Sequence, residues 1–139
     1  CMEVPCFILL KPVFIKHKQD VLPRVYFKAT MLITDQKQLE NFCQALKKAP
    51  FITVDTEFLR EKTYFPKLCL IQASGPDGKA AAIDPLAGAL DLTPFFHLLF
   101  DTQILKIFHA ARQDLEIFFK LTGRVVQPFF DTQIAAMVC

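Results

Sequence analysis

The chain has 139 residues, of which 53% are hydrophobic and 12% are aromatic. This length and composition predict a single globular domain with one core and exclude a disordered chain. Sixteen Lys and Arg residues against fourteen Asp and Glu residues give a net charge of +2. That balance excludes a protein that holds nucleic acid by bulk positive charge, so any nucleic-acid binding must be local.

Cysteine use and hydropathy indicate the compartment. The five cysteines are odd in number, scattered and without a Cys-x-x-Cys pair, which favours reduced thiols over a disulfide framework or a zinc site. The apolar stretch from Val4 to Ile15 is interrupted by Pro5, Lys11 and Pro12. It is too short to span a bilayer and lacks the features of a secretory signal. We therefore predict a cytoplasmic protein without a membrane anchor.

The first predicted elements are one helix and three strands. Apolar residues at helical spacing follow the cap candidates Thr34 and Asp35 and predict an amphipathic helix that ends near Pro50. These apolar residues are Leu39, Phe42, Cys43 and Leu46. Residues 51–57, Leu68–Ser74 and Lys79–Ile83 then read as strands, with a hairpin turn at residues 75–78. The three strands predict an antiparallel meander.

The second half alternates helices and one strand. Thr93 as N-cap and Pro94 as the first helical residue begin a short helix through Phe100, and Ile104–Phe108 is a fourth strand. The next helix has an inward stripe of Leu115, Phe118 and Phe119, ends at Gly123, and is followed by a helix that Asp131 caps. This order predicts an α/β domain with a mixed sheet flanked by helices.

The acid pair Asp55 and Glu57 is the most informative local feature. Both residues follow an apolar run, and alternation along a strand places them on one face, about 7 Å apart along the chain. Two like charges at the end of a buried strand cost several kcal/mol to desolvate unless a cation accompanies them. The pair therefore predicts a divalent metal site, although a lone Asp-x-Glu is more often a solvated turn.

A third acid, Asp114, lies in the first turn of the helix that follows the fourth strand. If that strand pairs beside residues 51–57, Asp114 meets Asp55 and Glu57 at one edge of the sheet. In isolation, an acid in the first turn of a helix is explained simply by the helix dipole.

Four segments together resemble the opening motifs of the ribonuclease D family. They are Val54–Phe58, Thr63–Gln72, Ile83–Leu86 and Phe108–Glu116, in the family's order and spacing. The resemblance covers roughly residues 31–139. It implies a ribonuclease H-like fold and a 3′–5′ exoribonuclease that uses two Mg²⁺ or Mn²⁺ ions to trim RNA 3′ ends, such as those of transfer RNA precursors. It also implies that residues 1–30 are an extra segment outside the exonuclease domain.

By the same resemblance, Asp55, Glu57 and Asp114 are catalytic metal ligands. The family's third motif, Tyr-x-x-x-Asp, is absent, because four residues after Tyr26 and Tyr64 stand Thr30 and Leu68. No Asp follows Asp131. We therefore expect an exonuclease domain truncated before its last helices, a fragment or an early-stopped product, with weak or no turnover from this polypeptide alone.

Three further residues are candidates for substrate binding. Phe58 resembles the aromatic residues that stack on bases in single-strand grooves, although packing in the core is its rival role. Tyr64 lies with Arg60 in a loop near the predicted site, and His109 lies at the strand-to-helix junction, where a structural role is the alternative. Asp84 reads as a turn residue rather than a metal ligand.

Two alternatives to a self-sufficient nuclease follow from the missing motif. The chain is then a non-catalytic RNA-binding or assembly fragment, or a second chain supplies the missing C-terminal half. The second alternative predicts an exposed apolar edge near residues 125–139. The oligomeric state stays open.

Overall fold

The computed structural model describes residues 29–59, 66–88 and 90–138. Most of the N-terminal segment, Arg60 and Tyr64 lie outside these ranges. The described chain forms six strands and four helices. The strands are β1 (Ala29–Ile33), β2 (Phe51–Leu59), β3 (Lys67–Ser74), β4 (Ala80–Ile83), β5 (Leu105–Phe108) and β6 (Phe129–Asp131), and the helices are α1 (Gln36–Leu46), α2 (Thr93–Leu99), α3 (Arg112–Thr122) and α4 (Thr132–Val138).

The six strands form one mixed sheet in the order β1-β4-β3-β2-β5-β6. The neighbours β2, β3 and β4 are antiparallel, which confirms the predicted meander. Three outer pairings are parallel, namely β1 with β4, β5 with β2, and β6 with β5. The α/β class and the mixed sheet are therefore confirmed.

Helix α1 forms where the sequence predicts it. The Asp35 side chain is its N-cap and accepts a hydrogen bond from the Gln38 N–H at 3.0 Å. All four residues of the predicted apolar stripe are buried. One of them, Leu46, packs over Gly75 in the β3–β4 turn, where an added Cβ would lie 2.5 Å from Leu46 Cδ2. A larger residue at this turn would therefore require the Leu46 side chain to move.

Helix α2 begins one residue earlier than predicted. Leu92 is the N-cap, so Thr93 is the first helical residue and Pro94 the second. The prediction of Thr93 as N-cap was wrong because the Asp91 carboxylate accepts hydrogen bonds from both the N–H and the hydroxyl of Thr93, at 2.9 and 2.6 Å. Pro94 is tolerated because the first-turn N–H groups have no partner within the helix.

The inward stripe of α3 differs from the prediction. Phe118 is fully buried and Leu115 partly buried, but Phe119 is 51% exposed. The buried face instead consists of Asp114, Ile117 and Phe118, at the three- and four-residue spacing of one helix side. The buried face was predicted wrongly because it includes the polar residue Asp114, which a pattern of apolar residues does not reveal. Gly123 ends the helix with a φ of 68°, as predicted.

Strands β1 and β6 were not predicted. Both lie at an edge of the sheet, and β6 has only three residues. The carboxylate of Asp131, the last residue of β6, accepts from the Gln133 N–H at 2.9 Å, so its predicted role at the start of α4 is confirmed. In the described part of the chain, we find no helix that is long and apolar enough to cross a membrane.

Lys106 in β5 is fully buried in the core. Its ammonium group donates to three backbone carbonyl oxygens, those of Asp101 and Ile104 at 2.6 Å each and that of Gln127 at 3.0 Å. Burial lowers the pKa of Lys106, and the nearby Asp101 carboxylate opposes that effect. The side chain thus connects the segment before β5 to the segment before β6.

Candidate functional site

The acid pair lies on the central strand β2. Burial alternates there, because Val54 and Thr56 are buried whereas Asp55 is exposed and Glu57 half-buried. Asp55 pairs with Gln72 of β3 and Glu57 with Leu70, after which the register shifts by one residue. The two carboxylates therefore belong to one face of β2, and the residue between them belongs to the other.

Strand β5 leads the chain to the third acid at the same end of the sheet, where β2 continues past their pairing. It pairs in parallel with β2, with Thr53 opposite Ile107, as the sequence argument required. The chain leaves β5 after Phe108 and enters α3 at Arg112. Asp114 in the first turn of α3 is consequently directed back toward β2, and it is only 6% exposed.

The Asp114 carboxylate is bound by the residue between the two acids of β2. The Thr56 hydroxyl donates to Asp114 Oδ1 at 2.5 Å. The pKa of Asp114 is raised to about 6, because burial and the negative charge of Asp55 raise it more than hydrogen bonds from Thr56 and from backbone N–H groups lower it. The contact that joins Asp114 to β2 is therefore with Thr56, the residue between the two acids, and the charge of Asp55 acts on Asp114 through space.

The donor atoms suit a hard divalent cation. Carboxylate oxygens are the ligands that Mg²⁺ prefers, and a cation beside Asp55 and Asp114 would offset their repulsion. Within the described ranges, however, no group of three or more His, Cys, Asp or Glu side chains is arranged to hold a metal ion. The carboxylate groups are thus chemically suited to a divalent cation, but their arrangement does not form a metal site by itself. The assignment of all three acids as ligands stays a prediction.

The predicted substrate-binding residues have different surroundings. Phe58 is partly buried and packs against the hydrophobic core, which favours its structural role. His109 is exposed, and its Nδ1 lies 2.9 Å from Thr132 Oγ1. The Thr132 hydroxyl donates its single proton to the Phe108 carbonyl, so it can only accept from His109. A neutral His109 therefore carries its proton on Nδ1 and has Nε2 as an acceptor. Tyr64 lies outside the described residues.

Two residues that matter to the site were not identified from the sequence. The first is Thr56, whose position between two outward acids assigns it to the core face by simple alternation. The second is Asp131, whose carboxylate also binds the turn between β5 and α3. No local sequence signal reveals that second contact, because it joins residues about twenty positions apart. Asp84 accepts from the Leu86 N–H at 2.8 Å and is the turn residue that was predicted.

Comparison with known proteins identifies the class to which this fold and site belong. Residues 30–139 match the sequence profile of a family described as 3′–5′ exonuclease. Because the match covers most of the chain, the chain belongs to the 3′–5′ exonuclease family.

Its relatives in this family include ribonuclease D proteins. The chain is 55% identical over 107 residues to the ribonuclease D of Sphingobium indicum, a match that covers 76% of this chain and 27% of the relative. The crystal structure of Escherichia coli RNase D, described as an exoribonuclease involved in structured RNA processing, superposes with a TM-score of 0.70 at 42% identity, over 76% of this chain and 28% of that one. The resemblance to ribonuclease D is therefore confirmed.

A third relative has been solved with ligands. Brucella melitensis NrnC with bound Mg²⁺ is 32% identical and has a TM-score of 0.62, over 78% of this chain and 51% of that one. The same protein has also been solved bound to pGG. The chain thus spans 27% of the length of a curated relative and about half of a solved one.

Proposed function

We propose that residues 31–139 form the N-terminal part of a ribonuclease D-like exonuclease domain that hydrolyses RNA from the 3′ end. The segment before β1 lies outside that domain in this proposal; β1 begins at Ala29 and the family match at residue 30, slightly before the expected boundary. The observation that carries the proposal is the hydrogen bond between Asp114 on α3 and Thr56 on β2, the residue that lies between Asp55 and Glu57. Structured RNA is the proposed substrate class, with transfer RNA precursors as the first candidates and the cytoplasm as the compartment.

The proposed metal ligands are Asp55, Glu57 and Asp114, holding two Mg²⁺ or Mn²⁺ ions. The Mg²⁺ complex of NrnC supports the choice of a divalent cation. When bound, such ions supply Lewis-acid stabilisation of the charge that develops on phosphate oxygens during hydrolysis. The protein's part begins with Thr56, whose hydroxyl orients the Asp114 carboxylate and keeps it fixed in a buried position.

The proposed substrate contacts are made by the three residues that the sequence analysis named. His109 offers its Nε2 as an acceptor for a hydroxyl group of the terminal nucleotide, since its Nδ1 is engaged by Thr132. Phe58 and Tyr64 are proposed to contact the terminal bases, although for Phe58 the contact with the core leaves only part of the ring accessible. An exposed His109 and a half-buried Phe58 are compatible with a ligand approaching from solvent.

The test is a nuclease assay with a 3′-labelled single-stranded RNA and Mn²⁺. We expect little release of nucleotides by the chain alone, because the third motif is absent. Addition of the part of Sphingobium indicum ribonuclease D that follows the matched stretch should produce stepwise release from the 3′ end. Asp55→Ala should abolish this release, whereas Asp77→Ala in the exposed β3–β4 turn should not. Release that survives Asp55→Ala would refute the proposed site.

A second candidate function is assembly with another polypeptide. Helix α4 has no buried residue, and large apolar side chains between residues 125 and 138 are exposed. They are Val125, Phe129, Phe130, Ile134, Met137 and Val138. Exposed apolar surface of this kind is typical of a covered interface. We propose that a polypeptide equivalent to the following part of the relatives packs here and completes the nuclease.

A further inference from the structure

The turn between β5 and α3 is held by two consecutive side chains from the β6–α4 junction. Asp131 Oδ1 accepts from the Ala110 N–H at 3.0 Å, and Asp131 Oδ2 accepts from the Ala111 N–H at 2.9 Å. Thr132 Oγ1 donates to the Phe108 carbonyl at 3.1 Å and accepts from His109 Nδ1 at 2.9 Å. Each of the four residues from Phe108 to Ala111 is therefore bound by one of these two side chains.

This turn has a backbone conformation that needs support. Ala110 has a φ of 59°, in the left-handed region that non-glycine residues adopt rarely. Such a residue persists where its surroundings determine the conformation. The two carboxylate oxygens of Asp131 supply that constraint, because they bind the N–H of Ala110 and the next N–H together.

The Asp131 carboxylate is well suited to this role. Partial burial acts to raise its pKa, but hydrogen bonds from the N–H groups of Ala111, Gln133, Ala110 and Ile134 together lower it below the ordinary value. The group is thus ionised at neutral pH, and hydrogen bonds to an ionised acceptor are about twice as strong as neutral ones. Ala111, the N-cap of α3, has no side chain able to cap the helix itself.

The constraint extends to the acid site through the first turn of α3. The Ala111 carbonyl accepts from the Leu115 N–H at 2.9 Å, which begins the helical hydrogen bonding. Asp114 lies inside this turn, and its carboxylate meets Thr56. A displacement of Ala111 therefore displaces Asp114 relative to β2. The parallel pairing of Phe108 with Asp131 fixes the distance between the two junctions.

We propose that Asp131 and Thr132 are positioning residues of the nuclease site, which set the placement of Asp114 and the orientation of the His109 imidazole. The inference rests on the proposed function and deepens it, because it assigns a role to side chains that touch neither metal nor substrate. The contacts of Asp131 and Thr132 also fix where α3 begins relative to β5, which local helix propensity does not do.

The chain contains a matched control for Asp131. The sequence Phe-Asp-Thr-Gln-Ile occurs at residues 100–104 and again at 130–134. Asp101 makes the same local bond as Asp131, accepting from the Gln103 N–H at 2.8 Å, but it lies before β5 rather than at the end of β6. Asp101→Ala thus removes the shared local contact and the electrostatic effect of Asp101 on Lys106, whereas Asp131→Ala removes the shared contact and the contact with the β5–α3 turn.

The first readout is Mn²⁺ affinity of the 139-residue chain, followed by the loss of the free-ion electron paramagnetic resonance signal. Loss of a group that orients a metal ligand typically weakens binding by about 10–100-fold, and we expect Asp131→Ala to do so. Asp131→Asn, which keeps one acceptor oxygen, should have a smaller effect, and Asp101→Ala should have none. Binding that is lost in Asp114→Asn but unchanged in Asp131→Ala would overturn the positioning role.

The second readout is independent of the metal. In hydrogen exchange, Asp131→Ala should accelerate the Leu115 amide at least about tenfold relative to amides of α1, because the first turn of α3 opens locally. If the wild-type chain binds no Mn²⁺, the proposed metal site fails in this chain, yet faster Leu115 exchange still supports the hold on α3. Unchanged Leu115 exchange overturns it in either case.

Thr132 is tested through the tautomer of His109. Imidazole ¹⁵N shifts of the neutral ring should show a proton on Nδ1 in the wild-type chain, assigned with His109→Gln. Thr132→Val should remove this preference while keeping the side-chain shape, and Thr132→Ser should restore it. The same tautomer in Thr132→Val and in the wild-type chain would refute the role of Thr132.

Discussion

The buried carboxyl group of Asp114 makes the stability of the metal-free fold depend on pH. Its folded-state pKa is raised to about 6, so the folded chain holds this proton more tightly than the unfolded chain does. The contribution of Asp114 to stability is therefore most favourable below pH 4 and is lost as the pH rises toward 6. For a difference of about two pKa units the loss amounts to at most about 3 kcal/mol.

Asp114→Asn should remove this loss. We expect the unfolding free energy of the variant to exceed that of the wild-type chain above pH 6, by up to about 3 kcal/mol, although the proposed metal site is destroyed. Urea unfolding at pH 4 and pH 7 in the presence of a chelator measures the difference. Asp77→Asn, on an exposed turn, serves as the control. The same pH dependence in wild-type and Asp114→Asn chains would show that Asp114 is not a buried acid.

Thr56 is predicted to be the partner that makes the burial of Asp114 tolerable. Thr56→Val keeps the shape but removes the only hydroxyl proton that Thr56 offers to Asp114 Oδ1. We expect a loss of about 1–3 kcal/mol of stability at pH 7, the range for a buried polar group that loses its partner. Thr53→Val is matched, because Thr53 lies on the same strand and, within the described residues, its hydroxyl bonds to the Ser74 hydroxyl at 3.1 Å. Equal losses in the two variants would contradict a special role for Thr56.

At the scale of elements, Lys106 connects the segment before β5 to the segment before β6 through three carbonyl groups. Lys106→Met keeps most of the side-chain volume but leaves the carbonyl groups of Ile104 and Gln127 without this donor, whereas the Asp101 carbonyl keeps the Ile104 N–H at 3.3 Å. Each buried unsatisfied group costs about 1–3 kcal/mol, so we expect a loss of about 2 kcal/mol or more in total. The midpoint of thermal unfolding measures it. Lys67→Met at an exposed position of β3 should change stability little, and a similar small effect for Lys106→Met would refute the structural role.

The elements that the sequence predicts are those with a strong periodic signal. Helix α1 has a complete apolar stripe and a side-chain cap. Strands β2, β3 and β4 contain apolar runs, and a turn with two glycines lies between β3 and β4. Strands β1 and β6 were missed because short edge strands are stabilised by their neighbours rather than by alternation of their own residues. The exposure of Phe119 was missed because a polar residue, Asp114, occupies the inward face of α3.

The site was predictable to the extent that it follows from strand alternation and strand pairing. Alternation places Asp55 and Glu57 on one face, and the parallel pairing of β5 with β2 lets Asp114 of α3 reach Thr56, the residue between them. The contacts of Asp131 and Thr132 with the β5–α3 turn were not predictable, because they depend on β6 lying next to β5. The roles of the acids in catalysis stay predictions.

At the scale of the whole molecule, the exposed C-terminal face predicts association. A chain that carries Ile134→Glu and Met137→Glu should lose binding to the following part of a ribonuclease D relative. Both side chains are at least 59% exposed and belong to the apolar surface that such an interface would cover. Analytical ultracentrifugation of the mixture measures complex formation. Leu32→Glu, at the opposite edge of the sheet, is the control. Undiminished binding by the double variant would exclude this face.

We propose that acids from β2 and α3 form one site for divalent cations. Mn²⁺ titration of the wild-type chain and of single variants is the decisive measurement. The variants are Asp55→Asn, Glu57→Gln, Asp114→Asn and the control Asp77→Asn. We expect saturable binding that each of the first three substitutions weakens by more than about tenfold and that the control leaves unchanged. Equal Mn²⁺ affinity in the wild-type, Asp55→Asn and Asp114→Asn chains would refute the shared site.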